Sequence, residues 1–215
     1  MIEHVYRRAS SARSVSDVIV ATDDARIADA VQAFGGTAVM TRADHPSGTD
    51  RLAEVAEQLS CDLVVNVQGD EPMLDPASID AAVAVCLDDP SVELSTLRAP
   101  LADADLDNPS VVKVVVDLQG DALYFTRAAV PFVRAGHPAP QAWRHLGLYV
   151  YRRETLLRLA QLRPTPLEMA EGLEQLRALE HGIPIRTVAT LTTSPSVDTP
   201  DDLARVRQLM EPSHA

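Results

Sequence analysis

Short apolar runs of strand length alternate with helical stripes along this chain, and that rhythm restricts it to an α/β fold. Residues 18–21 (VIVA) form a continuous apolar run of the sort found in a strand buried on both faces, and residues 38–40 and 63–67 (LVVNV) repeat the signal. Between them, Ile27, Ala30, Val31 and Phe34 share one helical face, closed by Gly35-Gly36, and Leu52, Val55 and Leu59 share the next. A helix marked by Ile79, Val83 and Cys86 follows, then strand candidates at 92–97, 111–116, 146–151 and 185–191. One irregularity stands out. Ile2, Val5, Tyr6 and Ala9 stripe a helix that opens the chain with no strand before it, although helices of such domains pack through the strands beside them.

With 215 residues and no internal repeat, low-complexity tract or dividing linker, a single domain over residues 1–215 is expected. Nineteen basic against 31 acidic side chains give a net charge of −12, which argues against a nucleic-acid partner. Lys113 is the only lysine, so side-chain anion binding falls to arginine, whose fork suits phosphate and carboxylate. The longest apolar run, residues 81–87, is far short of the ~20 residues that cross a bilayer, so no membrane partner is expected. Cys61 and Cys86 read as small buried hydrophobes in a reducing compartment, and no basic-then-apolar leader opens the chain; the expected location is cytoplasmic.

Several segments could carry chemistry. Gln68-Gly69-Asp70-Glu71-Pro72 follows the strand at 63–67, and ligands of open α/β sheets bind beyond the carboxyl ends of strands. Asp70 there either ligates a hard cation such as Mg²⁺ or only shapes the turn before Pro72, and spacing leaves both open. In RADHPSGTDR, residues 42–51, Ser47, Gly48 and Thr49 either present helix N–H groups to an anion or simply cap the helix. Thr199-Pro200-Asp201-Asp202 marks a helix start, with Leu203, Val206 and Met210 as its apolar stripe; Asp198 lies outside the cap and is a candidate ligand. A helix is also expected from Pro166, its spacings gathering Glu171, Glu174 and Gln175 on a solvated face, with Gly172 in mid-helix at a cost of ~1 kcal/mol.

Together, MTRADHPSGTDRLAEV, VVNVQGDEPM, NPSVVKVV with ALYFTRA, RHLGLYVY, TPLEMAEGLEQLRAL and SVDTPDDLARVR resemble the 3-deoxy-manno-octulosonate (Kdo) cytidylyltransferases, in the family's order and over nearly all of the chain. The resemblance implies a Rossmann-like, GT-A-like nucleotidyltransferase fold: a three-layer sandwich on a mixed, mostly parallel sheet. It implies transfer of CMP from CTP to Kdo with release of pyrophosphate, dependence on Mg²⁺, a homodimer, and a role in lipopolysaccharide synthesis. Asp70 and Asp198 would be the catalytic metal ligands. Arg42, Ser47, Gly48 and Gln68 match the nucleotide side, and His145, Tyr149, Glu171 and Gln175 the sugar-acid side, with Arg127 beside them. The alternation of the strand at 146–151 agrees, since it sets His145 and Tyr149 on one face.

The sequence also departs from that pattern. The family opens with a strand and a glycine- and arginine-containing loop resembling PARxxSxRxPGKPL, and this sequence starts after it. The expectation is a reading frame started late and a native product with one further strand and loop upstream; whether the chain is active without that phosphate clamp stays open. A missing central strand would leave the strands at 18–21 and 63–67 flanking a gap. Ser196 stands where the family has glycine, and Asp50 where it has glutamate. The alternatives are a cytidylyltransferase for 8-amino-Kdo or sialic acid, and a non-catalytic dimerising paralogue.

Overall fold

The computed structural model describes residues 1–211. Its elements in order are α1 (Ile2–Ser10), β1 (Ile19–Thr22), α2 (Ala25–Ala33), β2 (Thr37–Met40), α3 (Gly48–Ala56), β3 (Leu63–Asn66), α4 (Pro76–Asp88), β4 (Leu94–Pro100), a 3₁₀ turn (Asp103–Asp105), β5 (Lys113–Val116), β6 (Ala122–Thr126), β7 (Trp143–Arg152), α5 (Arg153–Ala160), α6 (Pro166–Glu171), α7 (Gln175–Glu180), β8 (Arg186–Ala189) and α8 (Pro200–Met210). They fall into two compact units: Met1–Leu59, Val67–Asp80 and residues 192–211; and Ser60–Asn66 with Ala81–Leu191.

In the first unit β1 and β2 pair in parallel, Ile19 opposite Thr37 and Thr22 opposite Met40, with α2 as the crossover. Asp24 caps α2 by accepting from the Arg26 N–H at 2.8 Å. The glycine pair ends it: Gly35 takes φ +81°, its N–H donates to Gln32 O at 3.0 Å, and the Gly36 N–H donates to Val31 O at 2.9 Å. A Cβ on Gly36 would lie 2.6 Å from the Phe34 ring and 2.8 Å from Val31, so a side chain there would have to displace them. Ile19, Val20 and Ala21 are only half-buried, less than their apolar run suggests, because β1 has a partner strand on one edge alone among the described residues.

The second unit carries a mixed six-stranded sheet of order β6-β5-β7-β4-β8, with β3 also on β7. β4 runs antiparallel along one edge of β7, from Leu94 opposite Tyr151 to Pro100 opposite Trp143. On the other edge β5 takes the N-terminal end (Lys113 opposite Arg144) and β3 the C-terminal end (Leu63 opposite Arg152). Thus β3, β4, β5 and β8 run one way while β6 and β7 run the other. Leu146 faces Leu97 and Tyr149 faces the adjacent Thr96, which leaves Gly147 and Leu148 bulged from the ladder. Leu94, Leu97, Phe125, Leu148, Val150, Leu156, Leu176 and Ile185 fill the core, each at most 2% exposed.

Three expectations need correction. The helix from Pro166 is two short helices: Gly172 adopts φ +62° and ends α6 in the left-handed conformation, so it is a stop and not a helix interior. What was to be a solvated face is then partly core, with Glu168, Gln175 and Arg177 buried. Cys61 is exposed; only Cys86 is buried. Among the described residues, no helix is long and apolar enough to cross a membrane.

Candidate active site

In the first unit the segments after β3 and before α8 are laced together. The Val197 N–H donates to the carbonyl oxygen of Asp70 at 2.9 Å, and Ser194 Oγ donates to Glu71 Oε2 at 3.1 Å. Asp198, one residue on from Val197, thereby comes within electrostatic reach of Asp70. Partial burial raises the Asp70 carboxyl above its ordinary range; its own backbone amide opposes this, and the negative charge of Asp198 adds to it. Asp198 is exposed, and Ser196 Oγ donates to its Oδ2 at 2.9 Å, which steadies the carboxylate. The α8 cap does not draw on the Asp198 carboxylate: Thr199 Oγ1 accepts from the Asp202 N–H, and the Asp202 carboxylate accepts from the Thr199 N–H at 2.9 Å.

The loop from β2 to α3 holds three more of the expected residues. Ser47 caps α3, its Oγ accepting from the Asp50 N–H at 3.2 Å. Gly48 is the first helical residue, with nothing within 4 Å of where a Cβ would stand, so the end of the helix is open to an approaching group. Arg42 is exposed, and its loop is pinned by Glu54, which accepts from the Arg42 N–H at 3.3 Å and from the His45 ring Nε2. The His45 hydrogen bond leads the effects that hold the Glu54 carboxyl below its usual range. Gln68 is exposed just ahead of Asp70.

The second unit gathers the remaining candidates on β6, β7 and the α6–α7 turn. The rings of Phe125 and His145 meet edge to face at 4.8 Å between centroids; His145 and Tyr149 lie 5.4 Å apart, and Tyr149 and Tyr151 5.9 Å. Burial lowers the His145 imidazole to about 3, so its ring is neutral at physiological pH. Burial likewise drives the Tyr149 phenol well above its ordinary value, helped by Tyr151 and by the charge of Glu174. Gln175 is buried at the start of α7.

Glu171 is turned onto the end of β6. It accepts from the Arg127 N–H at 3.0 Å, Thr126 Oγ1 at 2.6 Å and Tyr124 Oη at 3.3 Å, and these bonds keep it ionised. Arg127 answers with Nε to the Glu171 carbonyl at 2.9 Å and Nη1 to Pro109 O at 2.9 Å. The acid that acts on Tyr149 is therefore Glu174, which the sequence reading left out of the site. The left-handed Gly172 separates the two acids, and the high glycine preference for that conformation was the signal available.

Residues 1–186 match the cytidylyltransferase family. A 3-deoxy-manno-octulosonate cytidylyltransferase of Geobacter sulfurreducens is 49% identical over 222 aligned positions, covering 98% of this chain and 89% of that protein. The enzyme of the same name from Myxococcus xanthus is 54% identical over 211 positions, covering 98% of this chain and 85% of its own. A solved structure of CMP:2-keto-3-deoxy-manno-octonic acid synthetase complexed with CTP superposes with a TM-score of 0.94 at 47% identity, over 97% of this chain and 86% of that one.

Proposed function

Because the chain belongs to the cytidylyltransferase family and is similar to its 3-deoxy-manno-octulosonate members over nearly its whole length, we propose that it makes CMP-Kdo from CTP and Kdo. It is a nucleotidyltransferase with the Rossmann-like fold of that family. The observation that carries the detailed reading is the meeting of Asp70 and Asp198 in the first unit.

The anomeric hydroxyl oxygen of Kdo forms a bond to the α-phosphorus of CTP, and the bond from that phosphorus to the bridging oxygen breaks. Pyrophosphate leaves with the electron pair, and the hydroxyl proton passes to solvent. Such a displacement asks the protein for in-line placement and neutralisation of charge. Asp70 and Asp198 fit a hard divalent cation: two neighbouring carboxylates that repel one another are a donor set Mg²⁺ accepts when substrate phosphates complete its shell. When bound, Mg²⁺ supplies neutralisation of the triphosphate.

Arg42 meets the nucleotide from its pinned loop, Ser47 and Gly48 leave the start of α3 open to it, and Gln68 lies beside Asp70. His145, Tyr149 and Gln175 bind the sugar acid, with Glu174 beside Tyr149. Arg127 offers its charge to the sugar carboxylate, and Glu171 fixes the backbone from which Arg127 projects.

A homodimer suits the apolar side chains that the second unit leaves in solvent, among them Leu123 on β6 at 60% exposure, Phe132 at 91% and Met169 at 67%. Two free cysteines suit a reducing cytoplasm, where an activated Kdo would serve lipopolysaccharide assembly.

The experiment is pyrophosphate release from CTP and Mg²⁺ with Kdo, 8-amino-Kdo and a sialic acid in parallel, with size measured alongside. Release with the highest kcat/KM for Kdo is expected. Release led by another sugar acid would overturn the substrate, and release with none of them would overturn catalysis by this chain.

A further inference from the structure

One hydroxyl group beside His145 has more neighbours than it has protons. Thr96 is fully buried on β4, and its Oγ1 lies 2.8 Å from Leu148 O, 3.2 Å from Leu146 O and 2.9 Å from His145 Nε2. The bulge at Gly147 and Leu148 turns these two carbonyls of β7 toward one side chain. A threonine hydroxyl has a single proton to give and two lone pairs to offer. A carbonyl oxygen 2.8 Å from another oxygen requires a proton between them, so the Thr96 proton goes to Leu148 O. What Thr96 then turns to the imidazole is a lone pair, and the hydrogen bond at 2.9 Å needs its proton on Nε2.

We propose that Thr96 is a positioning residue that locks His145 in the Nε2–H tautomer, so that Nδ1 is held out as a hydrogen-bond acceptor for a hydroxyl of the sugar acid. The sugar-facing half of this inference rests on the reading of His145 given above; the tautomer does not, resting on the hydrogen-bond geometry around Thr96 Oγ1 together with a neutral ring. Nδ1 has no partner among the described residues, and His145 is half-buried, not sealed. Burial keeps the ring neutral, which is the condition for one nitrogen to donate while the other accepts. The Phe125 and Tyr149 rings pack against the imidazole and hold its orientation, so the tautomer decides what it offers.

The test is a long-range ¹⁵N–¹H correlation spectrum of the full chain with labelled histidine, His145 being assigned by the signal lost in His145→Asn. The expected pattern is a protonated Nε2 and a bare Nδ1, with the Nδ1 signal moving as Kdo is titrated. Thr96→Val should give a mixture of tautomers and weaken the Kd for Kdo by about threefold to tenfold, the worth of one hydrogen bond. Thr96→Ser, which keeps the hydroxyl, should restore both readouts. A proton on Nδ1 in the unaltered protein, or an unchanged pattern in Thr96→Val, overturns the lock whatever the protein does with Kdo. The expected spectrum with an Nδ1 signal and a Kd that ignore Kdo and the Thr96→Val change overturns only the sugar-facing half.

Discussion

The Val197 N–H donates to the carbonyl oxygen of Asp70 across 2.9 Å, and that single backbone bond sets the first unit's two candidate ligands beside each other. Asp70 and Asp198 are separated by most of the chain, yet the charge of one is felt by the other.

Two like charges held together without a cation cost stability, so relieving them should stabilise the metal-free protein. The raised Asp70 pKa means that the unfolded chain releases this proton more readily than the folded one. Metal-free stability therefore falls as pH rises from the ordinary value of 3.8 through the raised one. Asp70→Asn and Asp198→Asn should each raise Tm in EDTA by about 2 °C, remove the gain in Tm given by Mg²⁺ with CTP, and lower kcat by at least about a hundredfold. Thermal melts with and without the metal check the first two outcomes, and pyrophosphate release checks the third.

The Glu168–Arg177 pair shapes the α6–α7 turn from inside, with contacts of 2.5 and 2.9 Å and side chains 11% and 5% exposed. Burial alone would push the Glu168 carboxyl up; the hydrogen bonds from Arg177 and the Thr165 backbone outweigh it, and the pKa is lowered. The pair's contribution is thus complete above the ordinary 4.5 and is lost as pH falls through the lowered value. Glu168→Gln strands a buried guanidinium and should cost about 3–5 kcal/mol in urea unfolding at neutral pH, a difference that shrinks in acid.

Glu171 and Glu174 stand three residues apart and should fail differently. Glu171→Gln loosens the end of β6 and should show the larger loss of stability, about 1 kcal/mol. Glu174→Gln should show the larger loss of Kdo affinity, about tenfold. Urea unfolding and Kdo titration of both variants separate the two roles.

Two glycines give another contrast. Gly172→Ala forces alanine to φ +62° and should cost about 1 kcal/mol or more. Gly48→Ala meets no neighbour and should leave stability equal or slightly improved, yet it crowds the open start of α3 and should weaken CTP binding. Melting curves and CTP titrations check both.

Local signals explain what the sequence made legible. Thr199, Pro200 and Asp202 announce α8 because cap, proline and first-turn acid act within four residues, and Gly35-Gly36 stops α2 for the same reason. β6 and α5 escaped: the first is a short outer strand with Leu123 facing solvent, and the second follows β7 directly with no side-chain cap at Arg152. The exposure of Cys61 and the parting of Glu171 from Glu174 depend on tertiary placement, which periodicity does not carry. The position of Asp70 after a strand was legible, and that made it a candidate. Its closeness to Asp198 came from the family pattern, since no spacing rule joins residues so far apart.

The most direct test of the central claim replaces Mg²⁺ by paramagnetic Mn²⁺ and follows its binding in the presence of CTP by electron paramagnetic resonance. The account predicts one site per chain, weakened about tenfold or more by Asp70→Asn and by Asp198→Asn, with the double variant little worse than either alone. Mn²⁺ affinity unchanged in both single variants, with the fold intact, would contradict it.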